Sequence, residues 1–314
     1  MKTLRYVTLA VFLVVTVLSA GASGSQEEAE QTKGPVTVAS KIDTEGALLG
    51  NMIVQLLEAD GFEVEDSTEF GPTDVIRKAI INGEIDLYPE YTGNGAFFYD
   101  DSPDDVWNDP EAGYETIKEL DMEEHGIVWL EPSSANNTWA IAVRSDLAEE
   151  EDLETLDDLA DYIEDGGTFK FAASEEFVTR PDTLPAFEEA YGFELSEDQL
   201  LTFSGGNTAT TTQAAARGTD DVNAAMAYGT DGNLGALDLT VLEDSRNVQP
   251  YYLPAPIVRS EVLDEYPEIE SILEPLFSSL DLETLQELNA RIAVQGEDAG
   301  QVAESYLTEN GFLE

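Results

Sequence analysis

The sequence predicts an α/β protein of two lobes with a cleft between them. Three observations carry that expectation. Short apolar strands alternate with helices of 3.6-residue periodicity, glycines punctuate the helix ends, and the alternation starts afresh near Trp139. After Tyr252 the pattern turns helical, which gives two α/β units and a helical tail. No internal repeat is visible.

The elements follow in order. Val36-Thr37-Val38-Ala39 reads as a strand, and Leu48, Leu49, Met52, Ile53, Leu56 and Leu57 recur at helical spacing up to Gly61, a C-cap position. Phe62-Glu63-Val64 is a second strand. Thr73 is positioned to N-cap a helix carrying Val75, Ile76, Ala79 and Ile80, ended by Gly83. Ile85-Asp86-Leu87 is a third strand. Right-handed crossovers make this βαβαβ run a parallel sheet. The second unit reads as a strand at Trp139 to Val143 and a capping-box helix opening at Thr155 to Asp158 and ending at Gly166-Gly167. A strand at Phe169 to Ala172, a helix at Leu184 to Tyr191, a helix at Ala209 to Arg217 and a strand at Val222 to Tyr228 complete it. The tail reads as helices at Ile269 to Leu280, Leu282 to Val294 and Ala299 to Glu309.

Composition narrows the function. The 314 residues carry 14 Lys and Arg against 66 Asp and Glu, a net charge of −52. A field of that sign repels nucleic acid and anionic membrane surfaces, so neither is an expected partner. Acids spread over the whole chain with few lysines suit a halophilic source, because at about 1 M salt the Debye length is about 3 Å. There is no cysteine and a single histidine, His125, read as a solvated residue near a helix end. Disulfides, thiolate metal sites, cysteine nucleophiles and any serine triad without His125 are excluded. No metal or cofactor is expected.

At the N-terminus, Lys2 and Arg5 precede the apolar run VTLAVFLVVTVL and then Ala20-Gly21-Ala22, the pattern of a secretory signal peptide. The expected organisation is a signal peptide at 1–22, a flexible leader at 23–34, a first lobe from 35–138 plus 248–314, and a second lobe from 139–247. With no cysteine after the apolar run, a periplasmic or otherwise extracytoplasmic protein without a lipid anchor is expected, and a monomer.

In open α/β sheets, ligands sit outside the carboxyl ends of the strands. Ser40-Lys41, Gly71-Pro72-Thr73 and the stretch DLYPEYTGNG at 86–95 converge on that rim. Turn chemistry accounts for the Pro, Gly and Asn of that stretch but not for its two tyrosines. The runs SKIDTEGALLGNMIVQLLEADGFEV and GPTDVIRKAIINGEIDLYPEYTGNG, with NNTWAIAVR, SEEFVTRPDTLPAFEEAYGF, AYGTDGNL and VQPYYLPAPIVR, resemble the substrate-binding proteins of ABC importers for glycine betaine, choline and related osmolytes. The resemblance covers the chain beyond its leader. It implies a two-lobed type II periplasmic-binding-protein fold that closes over a quaternary ammonium in an aromatic cage, and an ABC permease as partner.

The family's cage positions fall on Tyr91, Trp139, Tyr228 and Tyr252, and its carboxylate-binding positions on Lys41, Asn94 and Arg180. Asn94 stands where the family usually has Thr, and Trp139 where it usually has Tyr. Tyr88 and Tyr251 read as structural. A zwitterion such as glycine betaine would then place its carboxylate on Arg180 and be preferred over choline. Two other functions compete: an extracytoplasmic hydrolase with a carboxylate pair, for which nothing selects the pair, and a ligand sensor that docks to a receptor.

Overall fold

A computed structural model of the chain describes residues 33–99, 104–205 and 207–313. The signal peptide read at 1–22 and nearly all of the leader lie outside the described residues, whereas Lys33 and Gly34 already belong to the first strand. The strands are β1 (Lys33–Lys41), β2 (Phe62–Gly71), β3 (Leu87–Tyr91), β4 (Ile127–Trp129), β5 (Trp139–Arg144), β6 (Phe171–Ser174), β7 (Leu200–Phe203), β8 (Ala224–Tyr228), β9 (Leu239–Val241) and β10 (Pro254–Arg259). They form two five-stranded sheets, ordered β2-β1-β3-β10-β4 and β7-β6-β8-β5-β9.

The two sheets repeat one plan. β1 pairs in parallel with β2 and β3, and β6 with β7 and β8, as alternation of strand and helix dictates. Each parallel trio then accepts one antiparallel strand: β10 against β3, and β5 against β8. The parallel pairing expected of the βαβαβ run is observed, and the added antiparallel strand makes each sheet mixed. The chain leaves the first sheet after β4, enters the second as β5, and returns from β9 to the first as β10. Each incoming strand runs backwards, so it starts beside the carboxyl end of its neighbour: Pro254 faces Tyr91, and Trp139 faces Tyr228. That geometry brings strand ends and strand starts to one rim.

Burial explains the packing. The helix Thr44–Ala59 turns Leu48, Leu49, Met52, Ile53 and Leu57 into the first core, each fully buried, for about 1.5–3 kcal/mol apiece. Ile269, Leu273, Leu276, Phe277, Leu285, Val302 and Leu307 of the tail helices belong to that same cluster. Ile141, Leu159, Phe171, Phe177 and Phe187 fill the second core, which also takes in Tyr91 and Tyr252 from the first sheet's strand ends.

Several local expectations shift. Thr73 is the first residue of the helix Thr73–Ile81, with extended Pro72 in the cap position and no side-chain cap bond. The strand expected at Ile85 begins at Leu87 and runs through Tyr91, so the tyrosines lie on a strand rather than in a loop. The capping box of Thr155 and Asp158 forms as expected. The helix whose end is read near His125 spans 16 residues, Pro110–His125, capped by Asp109 with proline in its first turn. His125 is exposed in its last turn.

Candidate functional site

The stretch DLYPEYTGNG is organised by a residue that the sequence reading passed over. Glu90 is fully buried, and its Oε1 accepts from the Tyr91 backbone N–H (2.7 Å), from Asn94 Nδ2 (2.7 Å) and from Lys41 Nζ at 2.6 Å. Its Oε2 accepts from the Tyr88 hydroxyl at 2.8 Å. Tyr88 therefore serves the framework, while Tyr91, three residues on, faces the second core. Gly93 has a packing reason. A Cβ there would meet the Tyr252 ring at 2.8 Å, so only glycine lets the turn lie under that ring. We expect Gly93→Ala to lower stability by about 1–3 kcal/mol, the scale of overpacking, read as a fall in thermal midpoint.

Four rings meet at the rim between the sheets. Trp139 and Tyr228, opposite one another on β5 and β8, have centroids 4.6 Å apart at 48°. Phe177 supports Trp139 from behind at 5.2 Å. Lys41 Nζ lies 4.9 Å from the Tyr91 ring centroid. Tyr252 is buried and held by its backbone, which donates to Asn136 Oδ1 (2.8 Å) and accepts from the Asn137 N–H (2.9 Å). The Trp139 indole faces the Tyr252 hydroxyl, which no donor or acceptor reaches in good hydrogen-bond geometry.

Six of the seven expected residues, Lys41, Tyr91, Asn94, Trp139, Tyr228 and Tyr252, line one cavity. Asp43, Asn137 and Glu176 complete its polar wall and were not anticipated. Asp43 N-caps the Thr44–Ala59 helix through the Gly46 N–H at 2.8 Å, and burial pushes its carboxyl up.

Arg180 does not line that cavity. It lies just behind, stacked on Phe97 at 4.3 Å and 5.9 Å from the Trp139 ring, bordering a neighbouring depression. Its guanidinium is already engaged: Nε and Nη2 hold Asp182 at 3.0 and 2.5 Å, and Nη1 donates to Asn94 Oδ1 (3.0 Å) and Glu176 Oε1 (2.8 Å). Around the cavity, Lys41 and Arg180 thus face four acids, Asp43, Glu90, Glu176 and Asp182, an excess that suits a cationic guest.

Two further buried carboxyls hold the rings. Asp231 accepts from the Tyr228 N–H (2.8 Å) and the Thr208 hydroxyl (2.8 Å), and burial pushes it up to about 6. Glu45 Oε1 accepts from the Tyr91 hydroxyl at 3.0 Å. Burial pushes Glu45 up to about 7, opposed by hydrogen bonds from Thr230, Asn289 and Tyr91. The folded chain therefore keeps a proton on Glu45 from pH 4.5, its ordinary value, to about pH 7, where the unfolded chain has lost it. Stability from this group is fully present below pH 4.5 and falls as pH rises to 7, by about 3 kcal/mol. Glu45→Gln is expected to flatten that part of the pH dependence of the thermal midpoint, measured between pH 5 and 8.

These features match known proteins. Residues 34–309 match the family described as the substrate-binding domain of ABC-type glycine betaine transport systems. The chain is 56% identical over 282 residues to the glycine betaine-binding protein YehZ of Escherichia coli, covering 90% of this chain and 92% of that one. It is 32% identical over 283 residues to a glycine-betaine-binding protein of Pseudomonas aeruginosa, covering 88% of each. The solved apo YehZ of E. coli superposes with a TM-score of 0.65 at 57% identity, over 89% of this chain and 99% of that one. A glycine betaine/carnitine/choline ABC transporter structure shares the fold at a TM-score of 0.69 and 21% identity, over 89% and 100%.

The class is a two-lobed extracytoplasmic solute-binding protein, not an enzyme. The chain belongs to the substrate-binding family of ABC-type glycine betaine transport systems. No helix among the described residues is long and apolar enough to cross a membrane.

Proposed function

We propose that this protein captures a quaternary ammonium osmolyte resembling glycine betaine and delivers it to an ABC permease for osmoprotection. In this reading it is exported by the signal peptide at 1–22, acts as a monomer in a salty medium, and closes lobe 35–138 plus 248–314 over lobe 139–247. The observation that carries the reading is the convergence of Tyr91, Trp139, Tyr228 and Tyr252 on one cavity. A trimethylammonium group has no N–H to donate, so acceptors cannot hold it by hydrogen bonds. Ring faces can, at up to about 2 kcal/mol per desolvated contact.

Asp43 and Glu176 on the wall add attraction for the cation, while the rings set its size and weak hydration. In salt, a lone carboxylate would also gather inorganic cations; a ring box favours the bulky organic one. Lys41 and Asn94 line the same cavity and would receive a ligand carboxylate. Arg180 would act through Asn94 and Glu176, because it does not line the cavity itself. The preference for zwitterions over choline then rests on Lys41 and Asn94 rather than on a free arginine.

The test uses the largest ring. Trp139→Ala should weaken glycine betaine binding by about 1–2 kcal/mol, the worth of one desolvated cation–π contact, and Trp139→Tyr by much less. Titration calorimetry in molar salt reads both. Unchanged affinity in both variants would reduce Trp139 to core packing.

A further inference from the structure

Glu45 stands behind the cavity wall, at a junction between the two halves of the fold. It sits in the first turn of the Thr44–Ala59 helix, buried, and does not line the cavity. Its Oε1 accepts from two cavity residues, the Tyr91 hydroxyl (3.0 Å) and Asn137 Nδ2 (2.9 Å). Its Oε2 accepts from Asn289 Nδ2 at 2.7 Å, and the Thr230 side chain is hydrogen-bonded to the same carboxyl group. Asn289 lies on the tail helix Leu282–Ala293, in the half built on the first sheet. Thr230 lies just after β8, in the half built on the second.

The same junction is stitched by the backbone. Asn289 Nδ2 also donates to the Thr230 carbonyl (3.1 Å), and Gln286 Nε2 donates to the Gly229 carbonyl (3.0 Å). A Cβ on Gly232 would fall 1.6 Å from the Gln286 carbonyl oxygen, so this loop reaches the helix only because it has no side chain there. Among the described residues, Glu45 forms no ion pair with a cation. Its carboxyl is hydrogen-bonded to four neutral groups, the Tyr91 and Thr230 hydroxyls and the Asn137 and Asn289 amides.

We propose that Glu45 is a positioning residue that couples the Tyr91 side of the cavity to the contact between the two halves of the fold, through Asn137, Asn289 and Thr230. One carboxyl group bonds at once to the cavity wall, through Tyr91 and Asn137, and to the cross-fold contact, through Asn289 and Thr230. Ordering of Tyr91 and closure of the halves thereby favour each other, as linkage requires of two events that share one element. The inference rests on the proposed function only in taking this cavity as the ligand site.

The test exploits the absence of native cysteine. Spin labels on Glu58→Cys and Glu164→Cys, two exposed positions on opposite halves, report the distance between the halves by pulsed electron resonance in molar salt at pH 8, where Glu45 is ionised. Glu45→Gln opposes a donor to donors, and Thr230→Val removes only the cross-fold hydroxyl. Each is expected to move population to longer distances, with and without glycine betaine, and to weaken glycine betaine binding about tenfold. The double variant should be no worse than the more affected single variant. Should Glu45→Gln not fold, Thr230→Val carries the same expectation alone. Distance distributions identical to the parent's, or effects that add, overturn the proposal. A parent that ignores glycine betaine refutes the ligand assignment instead, while the ligand-free distances still decide this one.

Discussion

Arg180→Ala is expected to destabilise the protein by about 3–5 kcal/mol, the cost of leaving buried charges unmatched. The guanidinium is about one-twentieth exposed, with Glu176 and Asp182 each less than one-fifth exposed. Removing it strands two carboxylates and the Asn94 carbonyl beside the cavity and empties the face of Phe97. Arg180→Lys should recover little, because an ammonium cannot reproduce the fork that spans Asp182 while reaching Asn94 and Glu176. Denaturant unfolding in molar salt measures both variants. A loss below about 1 kcal/mol for Arg180→Ala would show that the network is solvated surface pairing. An arginine free to grip ligand would have behaved differently: its removal would have reduced affinity and left stability nearly unchanged.

Dialysis from molar to millimolar salt is expected to lower the thermal midpoint by roughly 10–20 °C. The net charge of −52 is concentrated by folding, and its self-repulsion is screened within about 3 Å at 1 M but reaches about 30 Å at 0.01 M. A loss of about 5 kcal/mol is a large part of ordinary domain stability, and each kcal/mol is worth about 2–4 °C in a chain of this size. Exposed pairs such as Lys78 with Asp74 and Arg144 with Asp146 offset little of it. The buried pairs, Lys41 with Glu90 and Arg77 with Asp121, lose least screening and should hold their cores longest. A midpoint indifferent to salt would contradict the halophilic reading.

What the sequence disclosed follows from the range of the interactions involved. Helical periodicity and glycine punctuation are local, so the helices Leu184–Tyr191 and Ala299–Glu309 were legible to the residue. The strand β10 was not, because Pro254-Ala255-Pro256 reads as a turn until an antiparallel neighbour supplies its partners. Tyr91, Trp139, Tyr228 and Tyr252 were legible through the family's motifs rather than through physics, since a ring at a strand end has no local signature of a ligand. The carboxylates Glu45, Glu90 and Glu176 escaped for a related reason. Among 66 acids, a buried one is marked only by donors distant in sequence, such as Asn289 for Glu45. The pairing of Arg180 is a local signal, because its partners Glu176 and Asp182 flank it within four residues.

The central claim is that the ring-lined cavity recognises a methylated ammonium rather than a charge alone. Titration calorimetry of the mature protein in molar salt, with trimethylglycine, unmethylated glycine, choline, carnitine and ectoine, addresses it directly. The account predicts saturable binding of trimethylglycine and no measurable binding of glycine, which carries the same charges without the methyl groups. Equal binding of glycine and trimethylglycine, or no heat from any quaternary ammonium compound, would contradict it.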